Sequence, residues 1–165
     1  MKPALLVIDI QKEYYKINPQ IAQSLKEAVE LINVAIELFR AKNLPIFCIQ
    51  HMNEKDHLVP GVEGFEIPDD LAILPSDPHI FKTYSNSFNK TPLLQMLQDH
   101  GIDTLILSGF CAEYCVLSTF RGAMDLDLTP IILRDSLASG SAENIKFVES
   151  VSEVISYRAL RKFLE

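Results

Sequence analysis

The sequence has no apolar run long enough to cross a membrane. Its longest runs, such as Ala4 to Ile8 and Leu105 to Leu107, are strand-sized against the roughly 20 residues that a bilayer requires. Met1-Lys2-Pro3 leads into an apolar stretch that closes at Asp9 with no small-residue cleavage site behind it, so no export signal is read there. Cysteine is scarce. Three cysteines cannot all pair, and their spacing draws no disulfide framework, which makes a reducing cytoplasm the expected compartment. Clustered basic charge is also missing: 15 Lys and Arg stand against 22 Asp and Glu, and the net charge of −7 disfavours nucleic acid as a partner. The one basic group, Arg158, Arg161 and Lys162, reads as a solvated helix face whose charge complements the helix dipole. There is no internal repeat, linker or low-complexity tract. With 165 residues, 48% apolar and 22% charged, the chain fits one globular domain over residues 1–165.

What is present is an alternation of two periodicities. Ala4 to Ile8 is a continuous apolar run, as expected of a strand buried on both faces. From Gln20 to Lys42 the apolar residues Ile21, Leu25, Ala28, Val29, Ile32, Ala35, Ile36 and Phe39 fall at helical spacing, and Asn43-Leu44-Pro45 ends the helix. Pro45 to Gln50 reads as a second strand. Residues 51–78, rich in proline, read as a long irregular segment of the kind that often carries function. A short strand at 79–82 and a helix at 91–100, capped by Gly101, come next. Strands at 103–109, 128–134 and 152–157 then alternate with helices at 113–127, 141–150 and 158–164. That order predicts an α/β fold whose mostly parallel sheet carries helices on both faces.

In such a sheet, ligands gather beyond the carboxyl ends of the strands. The first strand ends at Asp9, the third at Lys82 and the fourth at Gly109, with Cys115 six residues further on in the first turn of a helix. An acid, an amine and a thiol thus fall on one edge. The helix terminus favours a thiolate at Cys115, and a neighbouring carboxylate can take the thiol proton and return it to a leaving amine. An ammonium keeps that carboxylate ionised, and free N–H groups at the strand-to-helix turn can hold an oxyanion. Alone, each residue has a plainer reading: Asp9 satisfying loop N–H groups, Lys82 solvated, Cys115 a half-buried hydrophobe. Cys48, inside an apolar strand, reads as core.

Three segments resemble the isochorismatase-like cysteine hydrolases, which include nicotinamidases and N-carbamoylsarcosine amidohydrolase. Ala4-Leu-Leu-Val-Ile-Asp9-Ile-Gln11 is similar to the family's opening strand and catalytic Asp. Phe81-Lys82-Thr-Tyr84-Ser-Asn-Ser87-Phe88 is similar to the segment of the catalytic Lys, and Ser108-Gly109-Phe110-Cys111-Ala112-Glu113-Tyr114-Cys115-Val116 to the nucleophile turn. Arg121-Gly122-Ala123 and Asp135-Ser136 also fit. The resemblance implies a three-layer Rossmann-like fold with six strands, catalytic Asp9, Lys82 and Cys115, and hydrolysis of a small amide or carbamoyl compound through a thioester. It also implies a cis peptide between Phe110 and Cys111, with the N–H groups of Cys111 and Cys115 forming the oxyanion hole, and a homo-oligomer.

The chain departs from the family at two places. Nicotinamidases carry an Asp-x-His metal motif after the second strand, where this chain reads His51-Met52-Asn53; no metal and no cofactor is therefore expected, and His51 and His57 are a weak ligand pair. Relatives often carry Ala or Thr where Cys111 and Ala112 stand. A redox pair of Cys111 with Cys115 is the lesser reading, because the oxyanion hole already accounts for the turn. The expected pocket wall is Gln11, Tyr14, His51, Phe65, Tyr84, Phe88 and Tyr114, a largely aromatic set suited to a flat or compact group. Two other functions stand beside amide hydrolysis: vinyl-ether hydrolysis of the isochorismate type, whose enzymes lack the nucleophilic Cys, and a catalytically silent interaction module.

Overall fold

Six strands and five helices make up the computed structural model, which describes residues 1–165. In chain order they are β1 (Pro3–Ile8), α1 (Pro19–Ala41), β2 (Ile46–His51), β3 (His79–Lys82), α2 (Leu93–Asp99), β4 (Thr104–Phe110), α3 (Leu117–Asp125), β5 (Thr129–Ala138), α4 (Ala142–Ser150), β6 (Val154–Ile155) and α5 (Tyr157–Phe163). The strands lie in the order β3-β2-β1-β4-β5-β6, and every neighbouring pair is parallel. The strand order reverses between β1 and β4, and a crevice beyond the carboxyl ends is expected at that point. No helix is long and apolar enough to cross a membrane.

The period of two in β1 sorts its side chains between two cores. Leu5 and Val7 join Ile21, Leu25, Val29, Ile32, Ile36 and Phe39 of α1 on one face, with Leu160 of α5 beside them. Ala4, Leu6 and Ile8 pack on the other face against Leu93 and Leu97 of α2, Phe120 and Ala123 of α3 and Val148 of α4. All eight apolar positions expected to form the buried stripe of the first long helix are buried. That helix starts where Asn18 accepts the Ile21 N–H at 2.8 Å, with Pro19 behind it in the first turn.

Two elements differ from expectation. β5 does not stop at Arg134 but runs on to Ala138, through a register shift opposite Leu107 and Gly109 and a left-handed Asp135 (φ 64°). The polar Arg134-Asp135-Ser136 run hides this continuation, which brings Ser139 alongside the turn after β4. β6 is only two residues long, shorter than the expected strand over 152–157. Within residues 51–78 the chain adds an Asn53–Leu58 bridge and a 3-10 turn at Glu63–Phe65, and Leu71 and Ile73 anchor the segment in the core.

Candidate active site

The register of the central strands brings three chemistries together. Ile8 pairs with both Ile49 and Gly109, and His51 pairs with Lys82, so the residues at and just past the ends of β1, β2, β3 and β4 share one edge. Gly109 makes the close approach to β1 feasible: its φ is +119°, and a Cβ there would lie 2.0 Å from the Ile8 carbonyl oxygen. β3 alternates outward and inward, which sends Ile80 and Lys82 inside and leaves Lys82 almost wholly buried. Asp9 takes a left-handed backbone (φ 53°) at the end of β1 and is also buried.

The Lys82 ammonium is the hub. Its Nζ donates to Asp9 Oδ2 at 2.7 Å and to Cys115 Sγ at 3.3 Å, and lies 3.2 Å from His51 Nδ1. Three acceptors thus meet its three N–H groups. Asp9 Oδ1 has no hydrogen-bond partner, although it is buried. No loop N–H donates to the Asp9 carboxylate, contrary to the plainer reading; it is bonded by the Lys82 ammonium and stands beside the Cys115 thiol. Burial pushes the Asp9 carboxyl up, opposed by the adjacent Lys82 charge. Burial and then Lys82 push the His51 imidazole down, so the ring is neutral and free to accept from the ammonium.

Cys115 stands in a π-helical turn, Ala112–Val116, between β4 and α3. The peptide from Phe110 to Cys111 is cis. The Cys111 carbonyl accepts from the N–H groups of Tyr114 and Val116, passing over that of Cys115, and the Cys111 N–H itself has no backbone acceptor. The charge state of the thiol differs from the sequence expectation. Burial first, then the Asp9 charge, push the Cys115 thiol up to about 11 against the pull of Lys82, a direction that favours the thiol over a preformed thiolate. Alkylation by iodoacetamide should therefore accelerate about tenfold per pH unit through the neutral range, because only the thiolate reacts. A rate that is already flat at neutral pH would show the thiolate to be preformed. Cys48 is buried, with its thiol pushed up to about 12, and should stay unlabelled.

A cavity of about 390 Å³ opens over this cluster. Asp9, Tyr14, His51, Cys111, Tyr114 and Cys115 of the expected set line it. The others lie elsewhere. Gln11 is buried and straps the end of β2, donating to the His51 and Phe65 carbonyls at 3.0 Å each and accepting the His51 N–H at 2.7 Å. Phe65 is buried edge-on against Phe81, Phe88 packs with the core below α2 and α3, and Tyr84 turns outward to Lys90. Ile21, Ser85, Phe110, Glu113 and Gly140 complete the wall in their place. Glu113 was missed because, standing between Tyr114 and Ala112, it reads as an ordinary solvated helix residue. Clefts of similar size along α1 contain no thiol or amine.

The only convergent group of possible ligands is Asp9, His51 and Cys115, and the Lys82 ammonium is already bonded to all three. The Asn53 side chain bonds Asp56, and the ring of His79 bonds Gln50 and the Leu74 carbonyl.

A family model described as the Isochorismatase domain matches residues 3–149. The chain is 30% identical over 142 residues to the uncharacterized isochorismatase family protein YddQ of Bacillus subtilis, covering 84% of this chain and 79% of that protein. Among solved structures, an isochorismatase-like hydrolase from Alkaliphilus metalliredigens shares the fold with a TM-score of 0.90 at 24% identity, over 100% of both chains. N-carbamoylsarcosine amidase from Thermoplasma acidophilum aligns with a TM-score of 0.80 at 25% identity, over 94% of this chain and 95% of that one.

Proposed function

The chain belongs to the isochorismatase family, and from that premise we propose that it hydrolyses a small amide or carbamoyl compound, with Cys115 as nucleophile, Asp9 as acid–base and Lys82 as the group that fixes both. The observation that carries this reading is the unpartnered Asp9 Oδ1 beside a protonated Cys115 thiol, with the other carboxylate oxygen held by Lys82. A buried carboxyl with a raised proton affinity is suited to accept a thiol proton during attack.

The sequence of events is then as follows. The Cys115 proton passes to Asp9 Oδ1 as Sγ bonds to the substrate carbonyl carbon. The resulting oxyanion accepts from the N–H groups of Cys111 and Cys115. Collapse breaks the C–N bond, Asp9 returns the proton to the departing nitrogen, and a thioester remains. Water attacks the thioester, giving its proton to Asp9, and loss of the sulfur releases the acid; Asp9 then reprotonates the thiol. Vinyl-ether hydrolysis of the isochorismate type would leave the thiol without a task, and a silent interaction module would leave the whole buried set without one.

A panel of primary amides and carbamoyl compounds, followed by ammonia release and by intact mass for the acyl-enzyme, tests the reading. Asp9→Asn keeps the shape but removes the proton acceptor, and acylation should slow by about 10²-fold or more. A thioester formed at the native rate in that variant would remove Asp9 from the mechanism.

A further inference from the structure

One wall of the cavity carries a carboxylate that the reaction above does not use. Glu113 Oε1 accepts from Asn144 Nδ2 at 2.7 Å, Oε2 accepts from the Cys111 thiol at 3.1 Å, and the Ser139 hydroxyl donates between them, at 2.8 Å to Oε2 and 3.1 Å to Oε1. These bonds hold the carboxyl below its ordinary range, so it is ionised at neutral pH. All three donors are neutral, and Glu113 takes part in no salt bridge. Its own backbone N–H adds a fourth neutral donor, so the roughly four lone-pair positions of the carboxylate are met while its charge stays without a counter-ion at the cavity wall.

The charge around it has one sign. Asp9 is balanced by Lys82, His51 is neutral, and no other basic side chain lines the cavity. At Gly140 the cavity meets a cleft along α1 that contains Glu27, and that cleft continues past Glu30 and Asp135, again with no Lys or Arg. A second cleft meets the cavity at Tyr14 and His51; its one Lys, Lys16, is paired with Glu13 and it also holds Asp56, so both approaches to Cys115 carry net negative charge. The rings of Tyr14, Phe110 and Tyr114 stand around the same space, with Tyr14 and Phe110 at 4.9 Å between centroids. A carboxylate without a counter-ion among aromatic faces is a setting for a cation.

Resting on the amide-hydrolase reading, we propose that Glu113 is a specificity residue that selects substrates carrying an ammonium or similar cation on the acyl side of the scissile bond and rejects those carrying a carboxylate there. The cation lies against Glu113 and the tyrosine rings while the amide carbonyl meets Cys115.

Two measurements test this, and one of them needs no turnover. The first compares modification of Cys115 by aminoethyl and sulfonatoethyl methanethiosulfonate, located by peptide mass spectrometry and referred to mercaptoethanol. At low ionic strength the cationic reagent should be favoured at Cys115 by about tenfold. Glu113→Gln should cut that preference by about fivefold, and high salt should erase it in the wild type. The second compares kcat/KM for three amides of matched size, β-alaninamide (cationic), butanamide (neutral) and succinamate (anionic). They should rank in that order, with the cation-to-anion ratio collapsing in Glu113→Gln. Charge-dependent labelling without hydrolysis of any amide would keep the cation preference and sink the amide-hydrolase reading. Hydrolysis of the three at equal efficiency would do the reverse. A wild-type labelling ratio near one at low salt, or one that Glu113→Gln leaves unchanged, overturns the proposal.

Discussion

Replacing Cys115 with alanine is expected to lower turnover by about 10⁴-fold or more, because no other group can form the thioester. The nearest alternative thiol is Cys111, but its Sγ donates to Glu113 and burial and that carboxylate push it up to about 12. The loss should be chemical and not structural. Cys115 is half-buried, and its removal takes from Lys82 one acceptor at 3.3 Å while leaving Asp9 and His51 in place. Stability should therefore stay within about 1 kcal/mol of the wild type. Denaturant melts and acyl-enzyme detection on the same samples separate the two effects. A variant that retained a few per cent of the activity would remove Cys115 from the nucleophile role.

The reactive set could be read from the sequence because a parallel sheet turns sequence position into spatial position. Asp9 and Cys115 follow the ends of β1 and β4, Lys82 closes β3, and these ends share one edge of the sheet, where the long Lys82 side chain reaches the switch point. The long helix could be read for a related reason: a stripe from Ile21 to Phe39 has only one face to bury. The cavity wall could not. Whether an aromatic residue faces a site or the core depends on the local path of the chain, and Phe65 and Phe88 follow paths that no periodicity fixes. Glu113 reaches the cavity wall in a π-helical turn, and the residues that fix it, Ser139 and Asn144, arrive only because β5 overruns its polar stretch. The charge state of Cys115 was also hidden, since the helix terminus is visible in the sequence and the burial that outweighs it is not.

Lys82→Met should be the most destabilising substitution at the site. The wild-type pair is almost fully buried, with the charges 2.7 Å apart and the ammonium satisfied on all three N–H groups. Methionine matches the bulk but leaves Asp9 alone in the interior, and breaking a buried pair from one side costs about 3–5 kcal/mol. Lys82 is the leading influence that lowers the Asp9 proton affinity, so its loss lets burial raise that affinity further. The sign of the pH dependence follows. An acid whose folded pKa exceeds its unfolded value of about 3.9 binds its proton more tightly when folded, so the variant is least impaired below that value and loses stability as pH rises through the folded pKa. The deficit should thus be small in acid and largest at neutral pH. Adding Asp9→Asn removes the stranded charge, and the double variant should recover much of the loss in a neutral urea melt while remaining inactive. If Lys82→Met melted like the wild type at neutral pH, or if the double variant were no more stable than the single one, the buried charge would not be what Lys82 compensates.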